Sequence, residues 1–194
     1  MTKIIGITGG IGSGKTFICQ ALQQLGFKVY FSDVEAKRLM NENNEVKIAI
    51  INLLGNDAYK NDILNTKHIA NKVFNSPTLL QQLNTIVHPA VKKDIVKWAS
   101  NSDEKFVFVE SAILFESHFD EICSGTIAIT APENIRIERA MKRDNVLKEQ
   151  INVRMKAQLS DEERSKLVGL TIVNDGVNDI KTITKTIIDY AINL

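Results

Sequence analysis

Short runs of apolar residues alternate along this chain with longer segments whose apolar positions recur every three or four residues. Nearly continuous apolar runs are typical of strands buried in a parallel sheet, and the longer spacing is typical of amphipathic helices. The predicted strands are residues 3–7, 27–31, 105–111, 124–130 and 169–175. The predicted helices are residues 14–25, 34–43, 46–54, 66–74, 79–98, 133–143, 146–157, a short helix after Ser160, and 177–192. This alternation predicts an α/β fold, a five-stranded parallel sheet flanked by helices, and argues against the all-α and all-β classes.

The stretch from residue 34 to residue 100 departs from this alternation. Helical spacing dominates it, residues 55–65 have the Asn and Asp content of a loop, and Pro89 predicts a kink or a new helix start. A crossover between parallel strands needs about a dozen residues, far fewer than this stretch provides. The predicted organisation is a core of 1–34, 100–132 and 159–194, a helical acceptor-binding insertion at 35–99, and a helical lid at 133–158.

A glycine-rich segment joins the first predicted strand to the first predicted helix. It reads G-x-x-x-x-G-K-T from Gly9 to Thr16, which is the P-loop pattern in its strand–loop–helix context. Backbone N–H groups of such a loop surround an anion, and the positive end of the helix points at it. We predict that Lys15 contacts the β- and γ-phosphates of a nucleoside triphosphate and that the Thr16 hydroxyl binds Mg²⁺; a ligand-free turn is the alternative. The predicted nucleotide-binding residues are Gly10, Ile11, Gly12, Ser13, Gly14, Lys15, Thr16 and Phe17.

The composition limits the partners of the chain. Its 194 residues, 44% hydrophobic and 24% charged, suit one globular domain with a sizeable core. A net charge of +1 provides no general attraction to nucleic acid, although a local basic patch could still attract it. The sequence has no run of 18 apolar residues and no signal peptide, and Cys19 and Cys123 lack metal-ligand spacing. We expect a cytoplasmic protein without nucleic-acid or membrane partners, and we favour a monomer.

Asp33 directly follows the second predicted strand, in the sequence Ser32-Asp33. Because parallel strands bring their carboxyl ends to one edge of the sheet, we expect Asp33 at the same edge as the P-loop. Its carboxylate could accept a proton from a substrate hydroxyl or help to hold Mg²⁺. It could also cap a helix that begins at Val34, and the two roles are compatible.

Three arginines, Arg136, Arg139 and Arg143, share one face of a predicted helix. Arginines on a closing segment can stabilise the charge on a transferring phosphoryl group. The alternative is a solvated face whose arginines pair with Glu133 and Glu138 at little energetic gain.

Two carboxylates and a histidine complete the candidates. Glu110 ends an apolar strand, where P-loop enzymes often place an acidic residue near Mg²⁺. Glu116 could pair with a lid arginine or contact substrate, and a lone histidine such as His88 is more often structural than a ligand. Cys, His, Asp and Glu do not cluster with metal-ligand spacing in the sequence, so we expect no structural zinc.

The function classes open to a P-loop chain differ in the further motifs that they need. A GTPase needs N-K-x-D and D-x-x-G, and neither occurs here. A motor or transport ATPase normally needs a longer chain, and a nucleotide-binding module without activity leaves Asp33 and the arginine face unexplained. A kinase with a small acceptor accounts for all of these features, and it is the prediction from the residues alone.

Several motifs, in order along nearly the whole chain, resemble the dephospho-coenzyme A kinase family. They are the P-loop, YFSD at 30–33, VHP at 87–89, ILFE at 113–116, R-x-x-R-A-M-K-R-D at 136–144, KAQLSDEER at 156–164 and IVNDG at 172–176. The resemblance implies a P-loop NTPase fold and ATP-dependent phosphorylation of the ribose 3′-hydroxyl of dephospho-coenzyme A, giving coenzyme A and ADP. A nucleoside monophosphate kinase, or another small-molecule P-loop kinase, is the alternative.

The resemblance also implies a role for each residue that matches a family motif. The implied roles are general base for Asp33, phosphate and Mg²⁺ contacts for Lys15 and Thr16, phosphate-facing lid positions for Arg139 and Arg143, an adenine contact for Asn174, and a substrate-side position for His88. Glu116, at the end of ILFE, is predicted to bind substrate.

Two departures from the family pattern change these expectations. The family often has Asp and Pro just before its L-L-F-E stretch, where this chain has Glu-Ser-Ala at 110–112, and this weakens a metal role for Glu110. The family P-loop usually continues K-S-T, where this chain has Lys15-Thr16-Phe17. The hydroxyl for Mg²⁺ is retained at Thr16, but any contact from Phe17 to the α-phosphate must come from the backbone.

Overall fold

The computed structural model describes residues 2–74, 76–156 and 158–194. Ala157, inside the predicted lid, lies outside the described residues. The chain divides into two compact units, a first unit made of the residues up to Phe31 together with Ala99–Leu194, and a second unit, Ser32–Trp98.

Seven strands and nine α-helices are assigned within the described residues. The strands are β1 (Lys3–Thr8), β2 (Val29–Phe31), β3 (Tyr59–Lys60), β4 (Ile63–Leu64), β5 (Phe106–Glu110), β6 (Gly125–Thr130) and β7 (Leu170–Val173). The helices are α1 (Lys15–Gln24), α2 (Ser32–Glu42), α3 (Asn44–Leu54), α4 (Thr66–Phe74), α5 (Pro77–Ser100), α6 (Glu133–Asp144), α7 (Lys148–Lys156), α8 (Asp161–Leu167) and α9 (Ile180–Ile192).

The first unit is built on a five-stranded sheet in the order β2-β5-β1-β6-β7. Every neighbouring pair in it is parallel, which confirms the predicted fold class. The central strands are almost continuously buried because helices such as α1 and α9 pack on the sheet, and the core contains Ile5, Phe108 and Ile127. At the carboxyl edge β1 leads into the glycine loop, β5 ends at Glu110, and β7 is followed by Asn174, so this edge gathers the polar candidates.

The second unit is helical apart from one short hairpin. Strands β3 and β4 pair antiparallel within the stretch 55–65, which the sequence analysis predicted as loop. Asn61 and Asp62 form the two-residue turn with φ of 50° and 69°, conformations that Asn and Asp tolerate better than most residues. Helix α5 continues through Pro89, so of the two predicted alternatives, a kink or a new helix start, the new helix start is wrong. Proline lacks the N–H for one helical hydrogen bond, but burial of Val91 and Ile95 on the same helix favours its continuation.

Helix α2 begins two residues earlier than predicted, at Ser32. Asp33 is therefore not the cap of a helix starting at Val34, because it lies inside the first turn of α2. A carboxylate in the first turn still interacts favourably with the positive end of the helix.

Within the described ranges, none of the helices combines the length and the apolar character needed to cross a membrane.

Candidate active site

The loop after β1 adopts an anion-binding conformation. Gly12 and Gly14 have φ of 77° and 88°, values that residues with a Cβ rarely adopt, and the Ser13 N–H donates to the Gly10 carbonyl at 3.1 Å. Gly14 is the N-terminal cap of α1 and has no side chain to accept from the first N–H groups of the helix. These N–H groups and the helix dipole are therefore available to a phosphate group.

Close packing on Arg136 explains two of the glycines in this loop. A Cβ at Gly10 would lie 2.3 Å from Nη2 of Arg136, and a Cβ at Gly12 would lie 2.1 Å from the Arg136 carbonyl oxygen. The second clash involves backbone, so the loop and the start of α6 can approach this closely only with glycine at position 12.

The carboxylate of Glu110, at the end of β5, contacts the side chains of Lys15 and Thr16. The Thr16 hydroxyl donates to Oε1 of Glu110 at 3.1 Å, and Nζ of Lys15 lies 3.4 Å from the same oxygen. Glu110 is buried, and its charge is balanced by the lysine. A hydroxyl oxygen next to a carboxylate oxygen is the donor chemistry that Mg²⁺ prefers, so these residues fit the ion that P-loop kinases use.

The P-loop forms the floor of a cavity of about 330 Å³. The residues that line it are Gly10, Gly12, Gly14, Lys15, Thr16, Phe17, Gln20, Arg139, Ala140 and Arg143. Both arginines predicted to face the phosphates are thus placed on the same cavity as Lys15. We refer to it below as the phosphate cavity.

A second cavity, of about 520 Å³, shares Gly14, Phe17 and Arg139 with the phosphate cavity. Its other lining residues are Asn174, Gly176, Asn178, Ile180 and Ile183. Its mixture of apolar side chains and amides suits a flat heterocycle with polar edges. The exposed Phe17 ring lines both cavities, so the residue that departs from the family pattern is located where the two cavities meet.

Asn174 is tied to the P-loop by its side chain. Its Nδ2 donates to the Ser13 carbonyl at 2.8 Å, and its backbone carbonyl accepts from Nη1 of Arg139 at 2.9 Å. A Cβ at Gly14 would lie 2.3 Å from the same Nδ2. The residue after β7 therefore connects the P-loop with an arginine of α6.

The three arginines of α6 have different environments, which their shared helical face did not indicate. Arg136 is buried, Arg139 contacts the Asn174 carbonyl, and the side chain of Arg143 is 62% exposed. Arg143 forms two hydrogen bonds with Asp144, which raise the pKa of the guanidinium and hold the pKa of that carboxyl below its usual range. In the described part of the chain, Arg136 pairs with Asp161 and Arg143 pairs with Asp144, where the sequence predicted Glu133 and Glu138 as partners.

A buried charged network behind the loop was missed at the sequence level. Asp161 accepts from Thr130 Oγ1 at 2.5 Å, from Nη1 of Arg164 at 2.8 Å, and from Nη1 of Arg136. Arg164 is 1% exposed, and this burial lowers the pKa of its guanidinium. The sequence indicated only the short helix after Ser160, and the capping box between Ser160 and Glu163 that starts this helix says nothing about these long-range pairs.

Glu116 does not belong to the lining of the two cavities described above. Its Oε1 accepts from the Leu159 N–H at 3.3 Å, and its charge acts on Arg164. Glu116 therefore supports the segment that leads into α8.

Asp33 and His88 belong to the second unit. Asp33 is exposed in the first turn of α2, two residues after Phe31, whose partner in the parallel register is Glu110. His88 is half-buried on α5 next to Pro89.

The two cysteines have unreactive environments. Burial, together with the nearby Glu110 carboxylate, raises the pKa of the Cys19 thiol well above its ordinary value. Burial and Asp120 raise the pKa of Cys123 to about 12. Both thiols are therefore neutral at physiological pH.

A P-loop between a parallel strand and a helix, with two arginines over its phosphate cavity, defines a P-loop kinase. Comparisons with known proteins agree. A family model described as dephospho-CoA kinase matches residues 3–179. The chain is 44% identical over 162 residues to a dephospho-CoA kinase of Porphyromonas gingivalis, covering 84% of this chain and 80% of that protein. It is 40% identical over 182 residues to the dephospho-CoA kinase of Salinibacter ruber, covering 91% and 92%.

A crystal structure of TT1252 from Thermus thermophilus is similar to this chain with a TM-score of 0.84 and 31% identity, over 97% of both chains. The chain belongs to the dephospho-CoA kinase family.

Proposed function

We propose that this chain transfers the γ-phosphoryl group of ATP to the ribose 3′-hydroxyl of dephospho-coenzyme A, giving coenzyme A and ADP. The observation that carries the proposal is the family match over residues 3–179, in which the P-loop and the arginines of α6 line one phosphate cavity. The same match makes a nucleoside monophosphate kinase the less favoured function.

The ATP side of the proposed site uses the two cavities of the first unit. Lys15 and the uncapped N–H groups at the start of α1 bind the β- and γ-phosphates in the phosphate cavity, while the cavity beside Asn174 receives the adenine. Phe17 lies between them and packs its ring against the ribose or the base. The cavity volumes, about 330 and 520 Å³, support this division.

Thr16 and Glu110 are the residues proposed to bind Mg²⁺. The hydrogen bond between their side-chain oxygens supports this proposal. When bound there, the ion supplies positive charge to the phosphate oxygens. This proposal restores to Glu110 the metal role that its departure from the family pattern weakens.

Asp33 is the proposed general base for the 3′-hydroxyl. It is an exposed carboxylate that follows the carboxyl end of β2, and Phe31 pairs in register with Glu110 at the edge where the polar candidates gather. His88 and Glu116 are proposed on the acceptor side, in keeping with the family motifs that contain them. In this proposal, the insertion at 35–99 binds the acceptor, dephospho-coenzyme A.

The segment 133–158 is the proposed lid. Arg139 and Arg143 line the phosphate cavity from α6 and would stabilise charge on the transferring group. Closure of this segment excludes water, so that ATP is not hydrolysed before the acceptor reacts.

A cytoplasmic monomer without nucleic-acid or membrane partners is part of the same proposal. The net charge of +1 and two free cysteines, typical of a reducing compartment, support it. Size-exclusion chromatography with light scattering would show a larger mass if the protein assembled.

The test of the function is acceptor-dependent release of ADP in the presence of ATP and Mg²⁺. We expect turnover with dephospho-coenzyme A, and much less with AMP, CMP or shikimate. Preference for AMP or CMP would identify a nucleoside monophosphate kinase instead. Turnover with none of the acceptors would favour a nucleotide-binding module.

The test of the proposed base is Asp33→Asn. General-base catalysis contributes about 10²–10⁴-fold, so we expect turnover to fall by roughly 10² or more while ATP binding is kept. ATP affinity is measured by calorimetry and turnover by ADP release. Near-normal turnover in this variant would remove Asp33 from the mechanism.

A further inference from the structure

Ile11, in the middle of the P-loop, has both of its backbone polar groups bound by distant side chains. Its N–H donates to Oε1 of Gln158 at 3.0 Å, and its carbonyl accepts from Nε of Arg136 at 3.0 Å. We propose that Arg136 and Gln158 are positioning residues of the kinase reaction, which hold the P-loop at Ile11 and anchor both ends of the lid to it.

These two hydrogen bonds orient the peptide planes on both sides of Ile11. The N–H belongs to the plane shared with Gly10, and the carbonyl belongs to the plane shared with Gly12. Glycine is the residue with the most backbone freedom, so without external contacts these planes would sample several orientations. Bound on both sides, the loop keeps one arrangement of its phosphate-binding N–H groups before ATP arrives.

Arg136 is itself held in place. It is 7% exposed, and its Nη1 donates to Asp161, which Arg164 and Thr130 also contact. A buried guanidinium with these partners has little freedom to rotate away from the loop. Its contact with Ile11 is therefore rigid rather than a flexible surface contact.

The two anchors lie at the two ends of the proposed lid. Arg136 is in the first turn of α6, and Gln158 follows α7, while the lid runs from 133 to 158. The segment that can close is then the part between the anchors. It carries Arg139 and Arg143, which lie about 4.5 and 10.5 Å further along α6 at 1.5 Å per residue.

The position of Arg143 depends strongly on the Arg136 anchor. With a lever of about 10.5 Å, a tilt of about 10° at Arg136 moves the backbone of Arg143 by roughly 2 Å. Misplacement of a reacting or stabilising group by about 1 Å can reduce the rate by about 10²-fold. Loss of either anchor should therefore affect the transfer step more than ATP binding.

This inference rests on the proposed kinase function, and Gln158→Met is its first test. The variant keeps an unbranched side chain of similar length but lacks the acceptor for the Ile11 N–H. We expect amide exchange at Ile11, followed by NMR, to become about tenfold faster or more. We also expect kcat to fall at least fivefold, KM for ATP to change less than threefold, and thermal stability to change little.

Two further variants show whether the acceptor itself is responsible. Gln158→Glu retains an oxygen acceptor and should restore slow exchange at Ile11. Gln24→Met, the same substitution at an exposed position at the end of α1, leaves the Gln158 contact in place and should leave exchange at Ile11 and kcat unchanged. Equal exchange rates at Ile11 in the wild type and Gln158→Met would overturn the inference, whatever the activity.

Arg136→Lys tests the second anchor. It keeps the charge for Asp161 but loses the Nε donor to Ile11. Because both anchors act on one residue, the losses in kcat should be less than additive in the double variant. Additive losses would show independent roles and overturn the inference. Failure of the proposed function would look different, since the wild type itself would then show no turnover of dephospho-coenzyme A.

Discussion

Replacing Asp161 with asparagine should cause a large loss of stability, because this one carboxylate neutralises two buried arginines. Arg136 and Arg164 contact its two oxygens, and their side chains are 9% and 2% exposed. Asparagine has nearly the same shape but no charge, and its amide group would face a guanidinium that cannot accept a hydrogen bond. The buried network would then contain two cations without their counter-ion.

The size of the loss follows from the burial of the partners. Removing one partner of a buried ion pair costs about 3–5 kcal/mol. The Asp161 side chain is itself 27% exposed, so water reaches part of it, and we reduce the expectation to about 2–4 kcal/mol. In a protein of this size each kcal/mol shifts the melting temperature by roughly 2–4 °C, so Asp161→Asn should melt about 5–15 °C lower.

Urea and thermal unfolding of Asp161→Asn, compared with Glu162→Gln, are the appropriate assay. Glu162 is the next residue on α8 and pairs with Lys166, but its side chain is 81% exposed. An exposed pair contributes about 0–1 kcal/mol, so the control should melt within about 3 °C of the wild type. Equal melting temperatures for the two variants would refute the idea that the buried network stabilises the fold.

Three further predictions concern the active site and the cysteines. Arg143→Ala should lower kcat at least tenfold without changing the melting temperature. The control, Arg154→Ala, removes the other arginine partner of Asp144 and should keep the wild-type kcat. Equal kcat values in the two variants would contradict a catalytic role for Arg143. Glu110→Gln should raise the Mg²⁺ concentration for half-maximal activity about tenfold or more, and an unchanged titration curve would exclude Glu110 from the metal site. Cys123, whose pKa is raised to about 12, should react with a thiol reagent at pH 8 about 10³-fold more slowly than the unfolded protein, and labelling of the native protein within minutes would contradict this.

The sheet was predictable because its strands are nearly continuous apolar runs with clear boundaries. The hairpin β3–β4 was not predictable in the same way, because two-residue strands bury too little surface to produce a pattern, and the Asn61-Asp62 turn resembles ordinary loop composition. The helix start at Ser32 differs from the prediction because Ser and Asp are frequent both before and within the first turn.

The site was predictable as far as its local motif extends. Lys15, Arg139 and Arg143 line the phosphate cavity, and a loop and one helix face are local features that the sequence shows. Ile11 and Ser13, which were also predicted to bind the nucleotide, are not among the residues that line this cavity. The separate role of Arg136 was not predictable, because the spacing along α6 is the same for a buried arginine and an exposed one. Its partners Ile11 and Asp161 are 125 and 25 residues away, and only the folded chain brings them together.

The contacts at Ile11 also have a consequence for the growing chain on the ribosome. Strand β1 is synthesised long before its parallel partner β5, which begins at Phe106, and the side chain that binds the Ile11 N–H comes 147 residues after Ile11. At about 5–20 residues per second, that interval is roughly 7–30 s. The P-loop is thus synthesised well before the two side chains that hold it at Ile11, and these contacts form only after the lid segment has followed.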